Sequence, residues 1–457
     1  MRQPIPLPLA HWLAEDRPDS TLVAWENEQY VTLGDLRAGV AALAFRLAEY
    51  EQNRWALCVS DSYHFTTALL ALLHCGKTPV IPGHSRVSLL REQADLFDGL
   101  ITDQDIALPC PVIDIHHLDY TPLPLPAFAS IAADACVVLF TSGSTGQARP
   151  VVKPIACLDR EIAWLTSLWG PQLQNKRIIS SVSHQHLYGL TFSIMLPMAL
   201  GLVFVRQPVQ FQEQFIQWCA HQYPVVFISS PAFLKRLDLT LPAVNCELVF
   251  SAGGFLPWAD SVQLHNWLGV YPDEIYGSTE TGVLARRHRA ADEVFWRAFP
   301  GVVFREEEHR VYRVFSDLIP ETDGFLLDDY LQFSAADQFT LVGRRDRIVK
   351  IEEKRVSLTE LEHYIGKMHG IAEACVVTLT RDNRTYIGAI LVLNRTGKAD
   401  LAAGSMAALT RKWRNELQQW LEPVAIPRYW RVIEEMPVNT QSKRAYDQLQ
   451  ELFHAAG

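Results

Sequence analysis

Up to about residue 345, short β-branched and aromatic runs alternate with stretches whose apolar residues recur at helical spacing. The segment "TLVAWENEQYVTLGDLRAGVAALAFRLAEY" predicts two short strands and then a helix capped near Thr32. "RWALCVS" and "KTPVIPG" read as strands flanking a helix from about Tyr63 to Cys75, and "LVFV" and "VVFISS" repeat the strand pattern further on. This alternation implies parallel-rich sheets covered by helices, an α/β fold. The proline-rich "YTPLPLPAFAS" (Tyr120 to Ser130) reads as a connector leading to the apolar run Ala135 to Phe140. Around "LVGRRDRIVKIEEKRVSLTELEHYI" the pattern changes, and the remainder of the chain has the size to fold alone. The expected organisation is a large domain over 1–345 and a small, mobile α+β domain over 346–457, with Asp346 as the hinge.

The longest apolar run, Gly189 to Val205, is shorter than the roughly 20 residues a membrane span needs and contains Pro197 and Gly201. It reads as a buried core helix leading into a strand, so no membrane partner is expected. The start, "MRQPIPLPLAHWLAED", lacks the apolar centre of a signal peptide. The eight cysteines are scattered without a CxxC pair and read as reduced core thiols of a cytoplasmic protein. A formal charge of −10 argues against nucleic-acid binding. The charge is unevenly spread: from Arg347 to the end there are 16 Lys+Arg against 13 Asp+Glu, a net of +3, whereas residues 1–346 hold 25 against 38, a net of −13. A cationic C-terminal part after an acidic one suggests an anionic partner for the small domain; a solvated surface without such a role gives the same count.

Four stretches carry candidate chemistry. In "TSGSTG", Gly143 and Gly146 let backbone N–H groups turn toward one point while Thr141, Ser142, Ser144 and Thr145 add hydroxyls, a concavity suited to phosphate oxygens. No Lys-Ser or Lys-Thr follows the second glycine, so this is not a Walker loop, and taken alone it is simply a turn. "EIYGSTETG" (Glu274 to Gly282) ends a strand with small and hydroxylated residues and one carboxylate, Glu280. A carboxylate beside phosphates calls for a cation between them, which makes Glu280 a candidate Mg²⁺ ligand; the plain alternative is a helix N-terminus with Glu in its first turn. "GRRDR" (Gly343 to Arg347), preceded by "LLDDY" (Leu326 to Tyr330), supplies an Asp and an Arg that suit a ribose, or merely an ion pair. Near the end, "MPVNTQSKRAYDQL" places Lys443 in a polar loop before a last helix.

Together, in this order, the four stretches resemble the adenylate-forming superfamily of acyl- and aryl-CoA ligases, luciferases and peptide-synthetase adenylation domains. The resemblance extends from "YVTLGDL" to "SKRAYDQL". It implies that Thr141, Ser142, Gly143, Ser144, Thr145 and Gly146 wrap the pyrophosphate of ATP, and that "SAGG" with Gly253 and Gly254, and Tyr276, line the adenine and acid pocket. It further implies that Thr279 contacts the α-phosphate, Glu280 the Mg²⁺, and Asp329 with Arg344 the ribose. By the same resemblance Lys443 bridges the acyl carboxylate and phosphate, Asp346 is the hinge, and His186 of "HLYGL" stands at the acid pocket; His184 points the same way only if its segment is extended. The implied reaction is ATP- and Mg²⁺-dependent acyl-adenylate formation, with subsequent transfer to a thiol.

The sequence departs from the family pattern in three places: Arg149 for the usual lysine after the phosphate loop, Ser442 for a glycine before Lys443, and Glu353 for a glycine that lines the thiol's approach. Leu187 stands where amino-acid-activating relatives carry an Asp, and Tyr188, His184, His186 and Phe227 fall near the expected pocket or in the core. The expected substrate is therefore an aryl or small unsaturated carboxylic acid. No carrier domain follows Lys443, so a separate acyl carrier protein is the expected acceptor. Free CoA is the alternative, and a non-catalytic nucleotide-binding regulator the second.

Overall fold

The computed structural model describes residues 3–14, 17–118, 128, 130–142, 148–219, 223–344, 347–351, 354–381, 384–418, 421, 423–438 and 444–453. Some side chains within these ranges, including those of Ser142 and Arg344, are not described. The chain divides into two compact units, Met1–Val303 with Phe315–Phe325, and Phe304–Val314 with Leu326–Gly457.

The first unit contains fifteen strands among its described residues: β1 (Leu22–Glu26), β2 (Gln29–Thr32), β3 (Arg54–Cys58), β4 (Thr78–Ile81), β5 (Gly99–Thr102), β6 (Val112–Asp114), β7 (Cys136–Ser142), β8 (Ala148–Pro154), β9 (Arg177–Ser180), β10 (Val203–Val205), β11 (Val225–Ser229), β12 (Cys246–Ser251), β13 (Asp273–Ser278), β14 (Gly282–His288) and β15 (Trp296–Ala298). One sheet has the order β6-β5-β3-β4-β7-β8, and β15-β14-β13-β12-β11-β9-β10-β1-β2 run side by side in another. Pairing is parallel from β6 to β7 and from β13 through β11 and β9 to β1, and antiparallel at β7–β8, β13–β14, β14–β15 and β1–β2. This is the expected α/β architecture.

Strand alternation sets the layers, because successive side chains face opposite ways. On β3, Trp55 and Leu57 join the main core while Ala56 and Cys58 join a second cluster; on β11, Val226 and Ile228 join the main core while Val225 and Phe227 join a third. Both faces of these central strands are therefore buried, which explains their unbroken apolar runs. The helices Leu33–Leu47, Ser62–His74 and Ile155–Leu173 supply apolar residues to the main core. The first begins at Thr32, whose hydroxyl accepts from Asp35 N while the Asp35 carboxylate accepts from Thr32 N, a capping box. The run from Gly189 becomes a π-helical turn over Leu190–Met195 and a short helix over Leu196–Leu200, ended by Gly201 at φ +69° before β10. All eight cysteines are free, and no described helix is long and apolar enough to cross a membrane.

The second unit contains β16 (Val303–Glu308), β17 (Val311–Phe315), β18 (Phe325–Ala335) and β19 (Gln338–Arg344) in sequential order, a hairpin of β20 (Ile348–Ile351) and β21 (Lys354–Ser357), and a sheet of β22 (Ile371–Arg381), β23 (Arg384–Leu393) and β24 (Tyr429–Ile433). Helix Leu358–Gly366 packs Leu361 and Ile365 into a core with Val376, Leu391, Trp413 and Trp430.

Candidate active site

The "YGSTETG" segment forms a turn between antiparallel strands, and not a helix N-terminus: β13 ends at Ser278, β14 begins at Gly282, and Thr279 to Thr281 join them. Local chemistry explains the composition. A Cβ at Gly277 would lie 2.1 Å from the Gly282 carbonyl oxygen, and Gly282 has φ +69°, so both ends of the turn need glycine. Thr281, fully buried, accepts from Ser278 N through its hydroxyl (3.1 Å), which closes the turn from inside. Thr279 and Glu280 are left half-buried at the crest.

The main chain of this turn is held from beneath. Lys153, on β8, is 2% exposed and donates from Nζ to the carbonyl oxygens of Glu280 (2.8 Å) and Leu318 (3.0 Å). Glu161, in the helix after β8, accepts from Val283 N at 2.7 Å through Oε1 and from the Thr191 hydroxyl at 2.9 Å through Oε2. Burial pulls the Lys153 ammonium below its usual range while the Glu161 charge opposes that. Burial pushes the Glu161 carboxyl up, opposed by Lys153, Val283 N and Thr191. β7 and β8 form one hairpin, in register from Cys136↔Pro154 to Ser142↔Ala148. The hairpin whose strands flank the "TSGSTG" stretch thus also carries the lysine that anchors the Glu280 carbonyl. Thr141 lies on it opposite Arg149; Gly143, Ser144, Thr145 and Gly146 lie outside the described residues.

Glu161, and the anchoring roles of Lys153 and Thr281, were not among the expectations from the sequence. A signal existed: Glu161 occupies the helix face of Leu158, Ile162 and Leu165, all buried, and an acidic residue on such a face calls for a partner.

The "HLYG" segment begins a helical turn, Leu187–Gly189, with half-buried His186 at its N-cap. Gly189 is required, because a Cβ there would meet the Ser183 carbonyl oxygen at 2.1 Å. The His186 ring lies against Gly83, where an added Cβ would come within 2.9 Å of Cε1. His184 turns the other way, into the protein. Its Nε2 lies 2.9 Å from the Val59 carbonyl oxygen, which can only accept, so the proton is on Nε2; Nδ1 accepts from the Ser62 hydroxyl at 3.1 Å. His184 is thus a core residue packed on Phe65 (ring centroids 4.4 Å). Phe227 is also core, its ring 4.2 Å from that of Phe215. Tyr188 packs its ring 4.9 Å from Phe192. The "SAGG" stretch lies at the end of β12, with Gly253 at φ +87° and both glycines exposed. Tyr276, half-buried on β13, has its ring 5.7 Å from Trp296.

In the second unit Asp329 and Arg344 are direct cross-strand partners on β18 and β19. Asp346, Glu353 and Lys443 lie outside the described residues, but the neighbours of two of them share one carboxylate. Arg347 pairs with Glu362 and donates to the Val376 carbonyl oxygen at 3.0 Å, while Arg444 donates to Glu362 at 3.0 Å and to Glu373 at 3.1 Å. The residues next after Asp346 and Lys443 are thereby tied to one point of helix Leu358–Gly366.

A cation at Glu280 fits the donor chemistry. Among the described residues no group of three or more His, Cys, Asp or Glu side chains could hold a metal. A single half-buried carboxylate beside hydroxyls suits Mg²⁺, which takes one or two carboxylates and completes its shell with phosphates and water.

Residues 101–314 match the family model described as AMP-binding enzyme. That region, a little under half of the chain, is consistent with the resemblance to the adenylate-forming superfamily. The match covers β13, β14 and their turn, the β7–β8 hairpin, Lys153, Glu161 and the "HLYG" segment. The chain is 26% identical over 279 residues to a 4-coumarate–CoA ligase of Cereibacter sphaeroides, an alignment spanning 59% of the chain and 62% of that relative. It is 25% identical over 364 residues to a D-alanine–D-alanyl carrier protein ligase of Staphylococcus haemolyticus, spanning 70% and 72%. The fold matches the ATP-bound crystal structure of MatB from Rhodopseudomonas palustris with a TM-score of 0.79 at 17% identity, covering 98% of this chain and 99% of that one.

The placement of His184 has a pH consequence. Burial holds its imidazole below the usual range, opposed by Val59 and by the Asp61 and Asp103 charges. The unfolded chain therefore binds a proton near pH 6.5 that the folded protein refuses, so this contribution to stability is complete above that pH and is lost as pH falls. The loss is up to about 1.4 kcal/mol per pH unit. Urea unfolding between pH 7.5 and 5 should show wild type losing stability faster than His184→Gln; parallel curves would contradict the neutral, buried assignment.

Proposed function

We propose that this protein activates a carboxylic acid with ATP and passes the acyl group to the phosphopantetheine thiol of a separate acyl carrier protein in the cytoplasm. A carboxylate oxygen of the acid attacks the α-phosphorus of ATP, forming the acyl-adenylate as the α–β phosphoanhydride bond breaks and pyrophosphate leaves. The thiolate then attacks the acyl carbon, forming the thioester as AMP departs. The observation that carries the reading is the anchored Glu280 turn inside the AMP-binding region. In this reading Thr279 contacts the α-phosphate and Glu280 holds Mg²⁺, which when bound offsets charge on the pyrophosphate. The Thr141 to Gly146 loop cradles the phosphates, Gly253, Gly254 and Tyr276 line the pocket with His186, and Asp329 with Arg344 holds the ribose. Lys443 brings a point charge to the meeting anions, and rotation of 346–457 about Asp346 withdraws it for the second step.

For the substrate we favour an aryl or small unsaturated acid. Leu187 offers no carboxylate for an ammonium, and a relative is named for 4-coumarate. For the acceptor, the net of +3 after Asp346 suits an acidic carrier protein, and another relative is named for a carrier protein. Free CoA is the second reading, favoured by the relative named as a CoA ligase.

Glu280→Ala should lower adenylate formation by about 10²-fold or more and shift its Mg²⁺ dependence. Lys443→Ala should slow that half-reaction by about 10²- to 10³-fold yet spare thiol transfer from presynthesised adenylate. Unchanged rates in Glu280→Ala would remove the cation assignment, and equal losses in both steps for Lys443→Ala would remove the domain alternation.

The acceptor is tested by thioester formation with carrier proteins and with CoA at about 50 and 200 mM salt, where screening of opposite charges differs. Carrier transfer should weaken with salt, and Glu353→Gly should raise transfer to CoA more than to a carrier. Efficient, salt-insensitive transfer to CoA by wild type would decide for the CoA ligase.

A further inference from the structure

Two charged side chains in the first unit, Lys153 and Glu161, are among the most deeply buried in the protein, at 2% exposure each. Taking an ammonium and a carboxylate out of water is costly unless each finds fixed partners, and their partners are specific. Lys153 satisfies itself on two main-chain carbonyls, one of them that of Glu280. Glu161 places one oxygen on Val283 N, just past the same turn, and the other on Thr191 in the π-helical stretch that continues from "HLYG". The side chain of Glu280 takes no part in either anchor. Gly282 completes the fit, since a Cβ there would stand 2.8 Å from Glu161 Oε1.

We propose that Lys153 and Glu161 are a buried positioning pair that fixes the main chain on both sides of Glu280, so that its carboxylate is held toward the cation, and that ties this turn to the acid-pocket segment. The inference rests on the reading of Glu280 as the cation ligand. Lys153 and Glu161 touch neither nucleotide nor acid; they act through Glu280, Val283 and Thr191. Thr191 gives the acid-pocket segment a direct hydrogen bond to the residue that holds β14 in place.

The distinguishing readout is a binding cycle. Mn²⁺ binding would be followed by electron paramagnetic resonance in the presence of an unreactive ATP analogue with a methylene between the α and β phosphates. The proteins are wild type, Lys153→Met, Glu280→Ala and the double variant. Each single change should weaken Mn²⁺ binding on the order of tenfold. In the double variant Lys153→Met should add less than about a twofold loss, because it acts through a carboxylate already gone. Equal losses on both backgrounds would overturn the positioning role and leave Lys153 a general support of the fold. Unchanged Mn²⁺ affinity in Glu280→Ala would instead overturn the cation reading beneath it. Should Lys153→Met fail to fold, Lys153→Met with Glu161→Gln carries the same cycle, since it removes both buried charges and keeps an acceptor for Val283 N.

Discussion

The ammonium of Lys153 meets three parts of the chain where water is excluded. It starts from the return strand of the β7–β8 hairpin, reaches the carbonyl of Glu280 in the β13–β14 turn, and reaches that of Leu318 in the segment Phe315–Phe325. That segment belongs to the first unit although the strands on either side of it group with the second. Its attachment is reinforced nearby, where Arg160 pairs with Asp317 at 2.5 Å and the Cys157 thiol donates to the Asp317 carbonyl oxygen. A buried charge is sustained only by such fixed dipoles and by a counter-charge, and Glu161 supplies the latter. The crest of the turn can therefore present Thr279 and Glu280 while its base stays closed.

The fold was legible where the physics is local. β1, β2 and the helix from Leu33 could be read from alternation and the Thr32 cap, and the central parallel strands from unbroken apolar runs bounded by turn residues. The run from Gly189, read as a buried core helix leading into a strand, forms buried helical turns over Leu190–Met195 and Leu196–Leu200 before β10. Glycine positions in the site were also readable in kind, but their reasons were not: Gly189 and Gly277 are set by carbonyls that approach within 2.1 Å of a would-be Cβ, which only the folded chain reveals.

What could not be read locally was the orientation of side chains in irregular segments. His184 and His186 are two residues apart, yet one is locked between Val59 and Ser62 and the other stands at a helix N-cap. Phe227 lies on the inward face of a doubly covered strand, so its aromatic character reports packing against Phe215. Lys153 and Glu161 were hidden for the opposite reason. Apart from the Thr191 hydroxyl on Glu161, their hydrogen-bond partners are main-chain groups more than a hundred residues away in Glu280, Leu318 and Val283; the apolar helix face around Glu161 signals that a partner is needed, but no side-chain pattern says which main-chain group it is.

If the anchored turn serves acid-dependent attack on the α-phosphorus of ATP, the wild-type protein should exchange labelled pyrophosphate into ATP. The measurement to make is that exchange across a panel of aryl, unsaturated, aliphatic and amino acids. Exchange should require both Mg²⁺ and a carboxylic acid, and should be greatest with an aryl or small unsaturated one. Absence of exchange with every acid, in a protein that still binds ATP, would contradict the assignment and leave a nucleotide-binding protein without adenylation.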